Sequence, residues 1–220
     1  MKTLIIYNSL TGFTEKYALA LGKRLGENAE VVPLKKFKVK MLDGCDKAVF
    51  MSRVVNNAIA GFKTVVKYAK KFAEKYTAIV AVGMAEPNAA QYHALEEANI
   101  PYLLKGIPLF VLRGGFDAEK LKGKDKLMIK FTCSRLEKAP SRTREEMALL
   151  NFFAAKTDKS DLSTLAPIEE YLSSGIFTPP EKTDEQPPFW MNYEEFMEED
   201  KESEPEEDAP AEDKEQCENS

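Results

Sequence analysis

The sequence is poor in the residues from which metal centres and several kinds of hydrolytic site are built. It contains one histidine, His93, and three scattered cysteines, Cys45, Cys133 and Cys217. A single histidine excludes a site made of several histidines, and the cysteine spacing fits no metal site. An odd number of cysteines without a disulfide framework is typical of a reducing compartment, so we predict a cytoplasmic protein without a bound metal.

Long apolar runs and the common nucleotide-binding glycine patterns are also missing. No run approaches the roughly 20 apolar residues of a membrane-spanning helix, although 44% of the residues are hydrophobic. The first residues lead from a basic start directly into a predicted strand and a polar turn, which is not the layout of a signal peptide. Neither the P-loop nor the dinucleotide glycine fingerprint occurs.

The charge changes sign along the chain. The whole sequence carries a net charge of −5, but residues 181–220 hold 17 acidic residues and three lysines. Residues 1–180 are therefore basic, with a net charge of +9. The lysine-rich stretch 35–40 contains Phe37 as its single aromatic residue, which is too little for a nucleic-acid stacking platform. We predict a basic body with an acidic tail and no nucleic-acid partner.

The most informative pattern lies near the start of the chain. Leu4 to Tyr7 form a short apolar run that predicts a buried strand, and a helical pattern begins at Glu15. Between them lies a segment that we name the hydroxyl turn, residues 9–14. Its members are Ser9, Leu10, Thr11, Gly12, Phe13 and Thr14.

The hydroxyl turn has two interpretations. Unpaired N–H groups at a helix start, together with serine and threonine hydroxyls, can hold a phosphate, and Gly12 lets backbone approach the oxygens. No lysine lies inside the turn, so the donors would be neutral. Alternatively, Thr11 or Thr14 merely caps the helix. Spacing alone leaves both interpretations open.

Residues 7–14, Tyr-Asn-Ser-Leu-Thr-Gly-Phe-Thr, resemble the FMN-phosphate loop of the flavodoxins, whose pattern is Ser/Thr-x-Thr-Gly-x-Thr after the first strand. The resemblance implies an α/β, flavodoxin-like three-layer sandwich with a five-stranded parallel sheet in the order 2-1-3-4-5. It also implies that FMN lies at the carboxyl ends of the strands, with its phosphate in the hydroxyl turn.

Apolar runs predict the other strands at residues 29–34, 46–51, 77–83 and 107–113, and periodicity predicts a helix over residues 59–75. The resemblance implies two further flavin loops, which hold the ring between them. They comprise Ser52, Arg53, Val54, Val55, Asn56 and Asn57 in the first, and Gly83, Met84 and Ala85 in the second. Flavodoxins often place an aromatic residue in the first of these loops, and this chain has valines there.

Cations and apolar residues alternate over residues 118–139, where Leu127, Met128 and Phe131 share one face of a predicted helix. One interpretation is a helix that packs its apolar side on the sheet. The other is a surface helix that rests on anionic lipid through residues 120–138. Thr143 and Glu146 then have the spacing of a capping box, and Pro167 fits the first turn of a closing helix.

Three further segments, Gly61-Phe62-Lys63, residues 112–116 and residues 125–130, resemble the flavodoxin-like menaquinone-dependent protoporphyrinogen dehydrogenases. The resemblance covers residues 1–174. It implies that the segment after the fifth strand serves quinone and membrane access, and that the partner is a quinone or a redox protein.

The composition predicts a flavodoxin-like domain over residues 1–174 and an acidic, largely disordered tail over residues 175–220. Within the tail, residues 189–197 form an aromatic segment that contains Trp190, the single tryptophan. This segment could dock on the body or fold on a partner, and the acidic tail could instead lie over the basic body.

The pattern as a whole favours an FMN-binding oxidoreductase or electron-transfer protein, and a quinone-linked dehydrogenase is one form of it. The redox chemistry would belong to the flavin, so no catalytic side chain is assigned. The alternative is a flavin-free binding module that kept the fold and acts through its acidic tail.

Overall fold

A central sheet organises the computed structural model, which describes residues 1–185 apart from residues 56, 122 and 155. Five parallel strands run in the order β2-β1-β3-β5-β6, and β4 pairs with β3 in the antiparallel direction. The strands are β1 (Thr3–Asn8), β2 (Ala29–Pro33), β3 (Lys47–Val55), β4 (Ala58–Ile59), β5 (Tyr76–Gly83) and β6 (Leu109–Arg113). Counting the parallel strands alone, this is the predicted order 2-1-3-4-5, which is thereby confirmed.

Helices cover both faces of the sheet and complete the predicted three layers. The helices are α1 (Phe13–Leu25), α2 (Lys63–Lys67), α3 (Ala69–Ala73), α4 (Ala89–Asn99), α5 (Gly123–Lys138), α6 (Arg144–Ala154) and α7 (Ala166–Ser174). Of these, α1 and α7 cover one face of the sheet, and α2, α3 and α4 cover the other. Side chains of β1 alternate between the faces: Ile5 packs with α1 and α7, whereas Leu4 and Ile6 pack with α2, α3 and α4. Both faces are therefore buried, which explains the continuous apolar run of this strand.

A third apolar cluster lies where the parallel strands have their carboxyl ends, which we name the carboxyl edge of the sheet. β7 (Gly115–Phe116) and β8 (Thr157–Asp158) pair in the antiparallel direction and close a segment that contains α5 and α6. We name residues 115–158 the edge segment. Its buried core consists of Phe116, Leu121, Leu136 and Phe153, and Leu10 and Met84 pack against it. The edge segment therefore lies beside the carboxyl ends of β1 and β5.

The predicted helix over residues 59–75 is wrong in its first part. Ile59 belongs to β4, Gly61 has a left-handed φ of 75°, and the helical region is divided into α2 and α3 at Tyr68. Within α2, Val65 is buried, whereas Val66 is 41% exposed. Pairing of residues 58–59 with β3 takes precedence over the local helical periodicity.

Two predicted helix starts are confirmed. Thr143 and Glu146 form the reciprocal hydrogen bonds of a capping box, and α7 carries Pro167 in its first turn. No helix in the described part of the chain is long and apolar enough to cross a bilayer. The predicted aromatic segment 189–197 and most of the acidic tail lie outside the described residues.

Candidate cofactor site at the carboxyl edge of the sheet

The hydroxyl turn joins the end of β1 to the start of α1. Gly12 is the N-cap residue of α1, with φ 96° and ψ −10°, a conformation that favours glycine. The Ser9 hydroxyl oxygen accepts a hydrogen bond of 3.1 Å from the N–H of Gly12 and so braces the turn. The Ser9 hydroxyl proton stays available as a donor, because a hydroxyl can accept and donate at once.

Thr11 and Thr14 do not cap the helix, so the capping interpretation of the turn is wrong. Gly12 occupies the cap position, and α1 has no side-chain cap hydrogen bond among the described residues. Both threonines are buried, and the structure gives neither hydroxyl a hydrogen-bond partner among the residues it describes. The first N–H groups of α1 also have no intrahelical acceptor. The turn therefore gathers several unused donors at one point.

Residues 52–55, which we predicted to lie in a loop, continue β3 instead. Ser52 and Arg53 stay in register with Ala81 and Val82 of β5, and Val55 pairs with Ala58 of β4. The chain reverses between Val55 and Ala58. Asn57 has a left-handed φ of 50°, which asparagine adopts more readily than most residues. Asn56 lies outside the described residues.

The β3–β4 hairpin is fixed from both sides. On one side, the Ser52 hydroxyl and the Asn8 amide donate hydrogen bonds of 2.5 and 3.0 Å to the carbonyl oxygen of Ala60. On the other side, the Asn99 amide oxygen accepts from the N–H of Ile59 at 2.8 Å. Val54 packs into the core on the α4 side. Ser52 and Val54 therefore hold the hairpin, and Arg53 points to the opposite face of β3.

The predicted loop after β5 lies where the sheet meets the edge segment. The carbonyl oxygen of Gly83 accepts a hydrogen bond of 2.7 Å from the N–H of Gly114. Met84 packs against the apolar cluster of the edge segment, and Ala85 is buried. A Cβ at Gly83 would lie 3.3 Å from the Nε2 atom of Gln91. This loop and the hydroxyl turn therefore border the same cluster, through Met84 and Leu10.

Four buried side-chain atoms near this edge have no hydrogen-bond partner within the described part of the chain. They are Arg53 Nε, Asn57 Oδ1, Gln91 Oε1 and Arg113 Nε. Arg53 and Arg113 lie at the carboxyl ends of β3 and β6, Asn57 lies in the hairpin turn, and Gln91 lies on α4, which follows β5. Buried polar atoms without partners are unfavourable, and each needs an explanation. A flavin ring carries N–H and C=O groups along one edge, and these are the kinds of partner that the four atoms lack, so their chemistry fits FMN.

Two further side chains shape the electrostatics around the hydroxyl turn. The Tyr7 hydroxyl donates a hydrogen bond of 2.7 Å to Glu15 Oε1. This bond, together with partial burial, raises the pKa of Tyr7 to about 12. Tyr7 is therefore a neutral donor at physiological pH.

Among the described residues, no group of three or more potential metal ligands occurs.

Tertiary structure brings the ammonium group of Lys120 to the hydroxyl turn, which the sequence alone did not predict. Asp117 in the edge segment is almost completely buried, and Lys120 and Lys156 approach its Oδ2 atom at 4.0 and 3.4 Å. A Cβ at Gly12 would lie 3.3 Å from Lys120 Nζ. The sequence carries one hint of this approach, the Gly114-Gly115 pair, because a Cβ at Gly115 would lie 2.8 Å from the Phe13 ring.

These features define a flavodoxin-type α/β domain with its candidate site at the carboxyl edge. The chain belongs to the family described as Flavodoxin domain, whose model matches residues 4–165. The comparison with curated proteins gives no match.

Several solved structures are similar to the chain. One is the flavodoxin of Fusobacterium nucleatum bound to flavin mononucleotide, with 16% identity and a TM-score of 0.38 over 51% of this chain and 70% of that one. Another is the Trp repressor binding protein of Bacillus subtilis, with 13% identity and a TM-score of 0.39 over 69% and 98%. A third is a flavodoxin from the domain Archaea, with 12% identity and a TM-score of 0.36 over 70% and 97%.

Proposed function

We propose that the chain binds FMN at the carboxyl edge of its sheet and acts as an oxidoreductase or electron-transfer protein. The observation that carries this proposal is the gathering of unpartnered polar groups at one edge. Among the residues that the structure describes, the hydroxyls of Thr11 and Thr14 have no partner at the start of α1. Arg53 and Gln91 likewise hold buried polar atoms without a described partner near the ends of β3 and β5.

The hydroxyl turn would hold the phosphate. The N–H groups at the start of α1 and the positive end of the helix dipole favour an anion. The Ser9, Thr11 and Thr14 hydroxyls add donors, and Leu10 and Phe13 contribute backbone N–H groups. Gly12 keeps the approach free of a side chain.

The hairpin and the loop that begins at Gly83 would hold the ring. The Gln91 amide oxygen can accept from a ring N–H, and the Arg53 guanidinium can donate to a ring carbonyl oxygen. When bound, FMN supplies the electron-carrying chemistry, and protein groups beside the ring tune its reduction potential. The positive charge of Arg53 favours electron density on the ring and would raise that potential.

A quinone-linked dehydrogenase is the finer form of this proposal, with a quinone or a redox protein as partner. Its support lies in α5. Leu127 and Phe131 are 70% and 58% exposed, so the interpretation that they pack on the sheet is wrong. Lys126 and Lys130 are exposed beside them. We propose that this face contacts the surface of an anionic membrane from the cytoplasmic side, where a lipid-soluble quinone is reached.

The phosphate site is tested by FMN titration of the full chain and of a Thr11→Ala, Thr14→Ala variant. We expect the double variant to bind FMN at least about tenfold more weakly, because it loses two charge-assisted donors. Thr3→Ala is the matched control, since Thr3 is also buried but lies at the opposite edge of the sheet. Equal FMN affinity in the double variant and the wild type would overturn the assignment.

Product analysis separates the two forms of the proposal. A dehydrogenase oxidises a porphyrinogen when a quinone is supplied, whereas an electron-transfer protein alone does not. A wild-type chain that binds no FMN would favour the flavin-free binding module.

A further inference from the structure

We propose that Lys120 is the cation of the phosphate site, held toward the hydroxyl turn by Asp117. This inference rests on the proposed FMN function and adds a residue that lies far from the turn in sequence. It changes the character of the site, because the turn alone offers only neutral donors for a phosphate ester with nearly two negative charges.

The first observation is the position of the ammonium group. Gly12 is the N-cap of α1, and Lys120 Nζ lies 3.3 Å from the place where a Cβ of that residue would be. A cation at this distance shares the space in front of the helix start with any bound anion. The helix dipole and Lys120 are both positive here, so an anion bound between them would interact favourably with both.

The second observation is the surplus of positive charge around Asp117. The side chain of Asp117 is 2% exposed, and two lysines face its Oδ2 atom. A buried carboxylate requires compensation, and one cation suffices for that. Lys156 is the closer of the two, at 3.4 Å. Lys120, at 4.0 Å, lies at the limit of an ion pair and leaves one unit of positive charge beside the turn.

The third observation is the way in which the fold fixes this arrangement. Phe116 and Leu121 flank the short helical turn 118–120, and both are buried in the core of the edge segment. Leu10 of the hydroxyl turn packs against the same core. The backbone of Lys120 is therefore anchored to the turn that its side chain faces. In addition, the Asp117 Oδ1 atom accepts a hydrogen bond of 3.2 Å from the N–H of Glu119, which orients the carboxylate.

The arrangement assigns distinct roles to the three residues. Lys120 would contact the phosphate directly, because its ammonium group already lies at the helix start and its side chain is 55% exposed. Asp117 is a positioning residue, and Lys156 also neutralises its buried carboxylate. The site would therefore select flavins that carry a phosphate over those that do not.

The test compares the dissociation constants of FMN and riboflavin for the full chain and for Lys120→Gln. We expect Lys120→Gln to weaken FMN binding about tenfold, since the lost contact is charge-assisted but half exposed. Riboflavin has no phosphate, so its affinity should stay unchanged. Lys120→Arg should keep the wild-type affinity for FMN. Lys126→Gln is the matched control, because Lys126 is an exposed lysine of the same segment, and it should change neither constant.

Salt gives a second measurement on the same variants. FMN binding to the wild type should weaken from low to high ionic strength more than binding to Lys120→Gln does. Equal FMN affinity and equal salt dependence in the two proteins would overturn the role of Lys120, and so would an equal loss of FMN and riboflavin. A wild type that binds no FMN, or binds it unchanged after Thr11→Ala with Thr14→Ala, would instead overturn the phosphate site itself.

Discussion

Asn99 on α4 holds the β3–β4 hairpin through Ile59, whose backbone N–H donates to the Asn99 amide oxygen at 2.8 Å. The amide nitrogen of Asn99 also donates to the carbonyl oxygen of Asn57 at 2.7 Å. One side chain therefore closes both the turn and the second strand of the hairpin. Because Arg53 lies in this hairpin, the position of the candidate ring site depends on Asn99.

We expect Asn99→Ala to lower the free energy of unfolding by about 2 kcal/mol, because it leaves a half-buried N–H and a carbonyl oxygen without partners. Chemical denaturation measures this loss. Glu97→Ala on the same helix is the control, since Glu97 is exposed and lies away from the hairpin. If both variants were equally stable, the hairpin would not depend on Asn99.

Gly12→Ala should damage the hydroxyl turn by two mechanisms. The left-handed backbone conformation strains any residue with a Cβ by about 1–3 kcal/mol, and the new methyl group would press on Lys120. Gly106→Ala separates these mechanisms, because Gly106 has a φ of 90° with nothing within 4 Å of a Cβ. We expect both variants to lose stability in thermal unfolding, and Gly12→Ala alone to lose FMN affinity. Equal FMN affinity in the two would contradict the placement of the ligand at Gly12.

The ion pair between Lys16 and Asp158 predicts a loss of stability in acid. The hydrogen bond from Lys16, followed by that from Ser160, lowers the pKa of Asp158 from 3.8 to about 2. A lowered folded-state pKa means that the ionised carboxylate stabilises the fold. This stabilisation is complete above pH 3.8 and disappears as the pH falls through about 2.

Unfolding experiments from about pH 5 to about pH 2 check this loss of stabilisation by the Asp158 carboxylate. The wild type should lose up to about 1 kcal/mol more than Asp158→Asn, a small amount because the pair is largely exposed. Parallel pH profiles for the two proteins would show that Asp158 does not link α1 to β8.

The exposed face of α5 should bind anionic vesicles. We expect Leu127→Glu with Phe131→Glu to reduce co-sedimentation of the full chain with vesicles that contain phosphatidylserine, since it removes apolar area and adds negative charge. Tyr102→Glu with Leu103→Glu is the matched control, because these side chains are also exposed, at 84% and 69%, but lie in another part of the protein. A similar loss in both pairs would indicate a nonspecific effect of charge.

The sequence was sufficient for the parallel sheet because its strands are buried on both faces and read as apolar runs. The carboxyl end of β3 is the exception. Ser52 and Arg53 suggested a loop after Met51, yet they stay in register with β5 through Ala81 and Val82. Pairing with a neighbouring strand satisfies the backbone whatever the side chains are, so polarity alone does not mark the end of a central strand.

The sequence predicts only part of the candidate site, because some of the site's residues are far apart along the chain. The hydroxyl turn is contiguous, so its residue types could be recognised together. Lys120 and Gln91 reach the site through long-range packing of the edge segment and α4, and no local spacing relates them to Gly12 or Gly83. Local sequence places Lys120 among the cations of residues 120–138, whereas its ammonium group lies beside Gly12.

The central claim is that the carboxyl edge of this sheet binds FMN through the hydroxyl turn. Its most direct test is the flavin-to-protein ratio of the full chain after incubation with FMN and gel filtration, measured by visible absorption. We expect a ratio near one for the wild type and a strongly reduced ratio for Thr11→Ala with Thr14→Ala. A colourless wild-type protein, or an equal ratio in the two proteins, would contradict the claim.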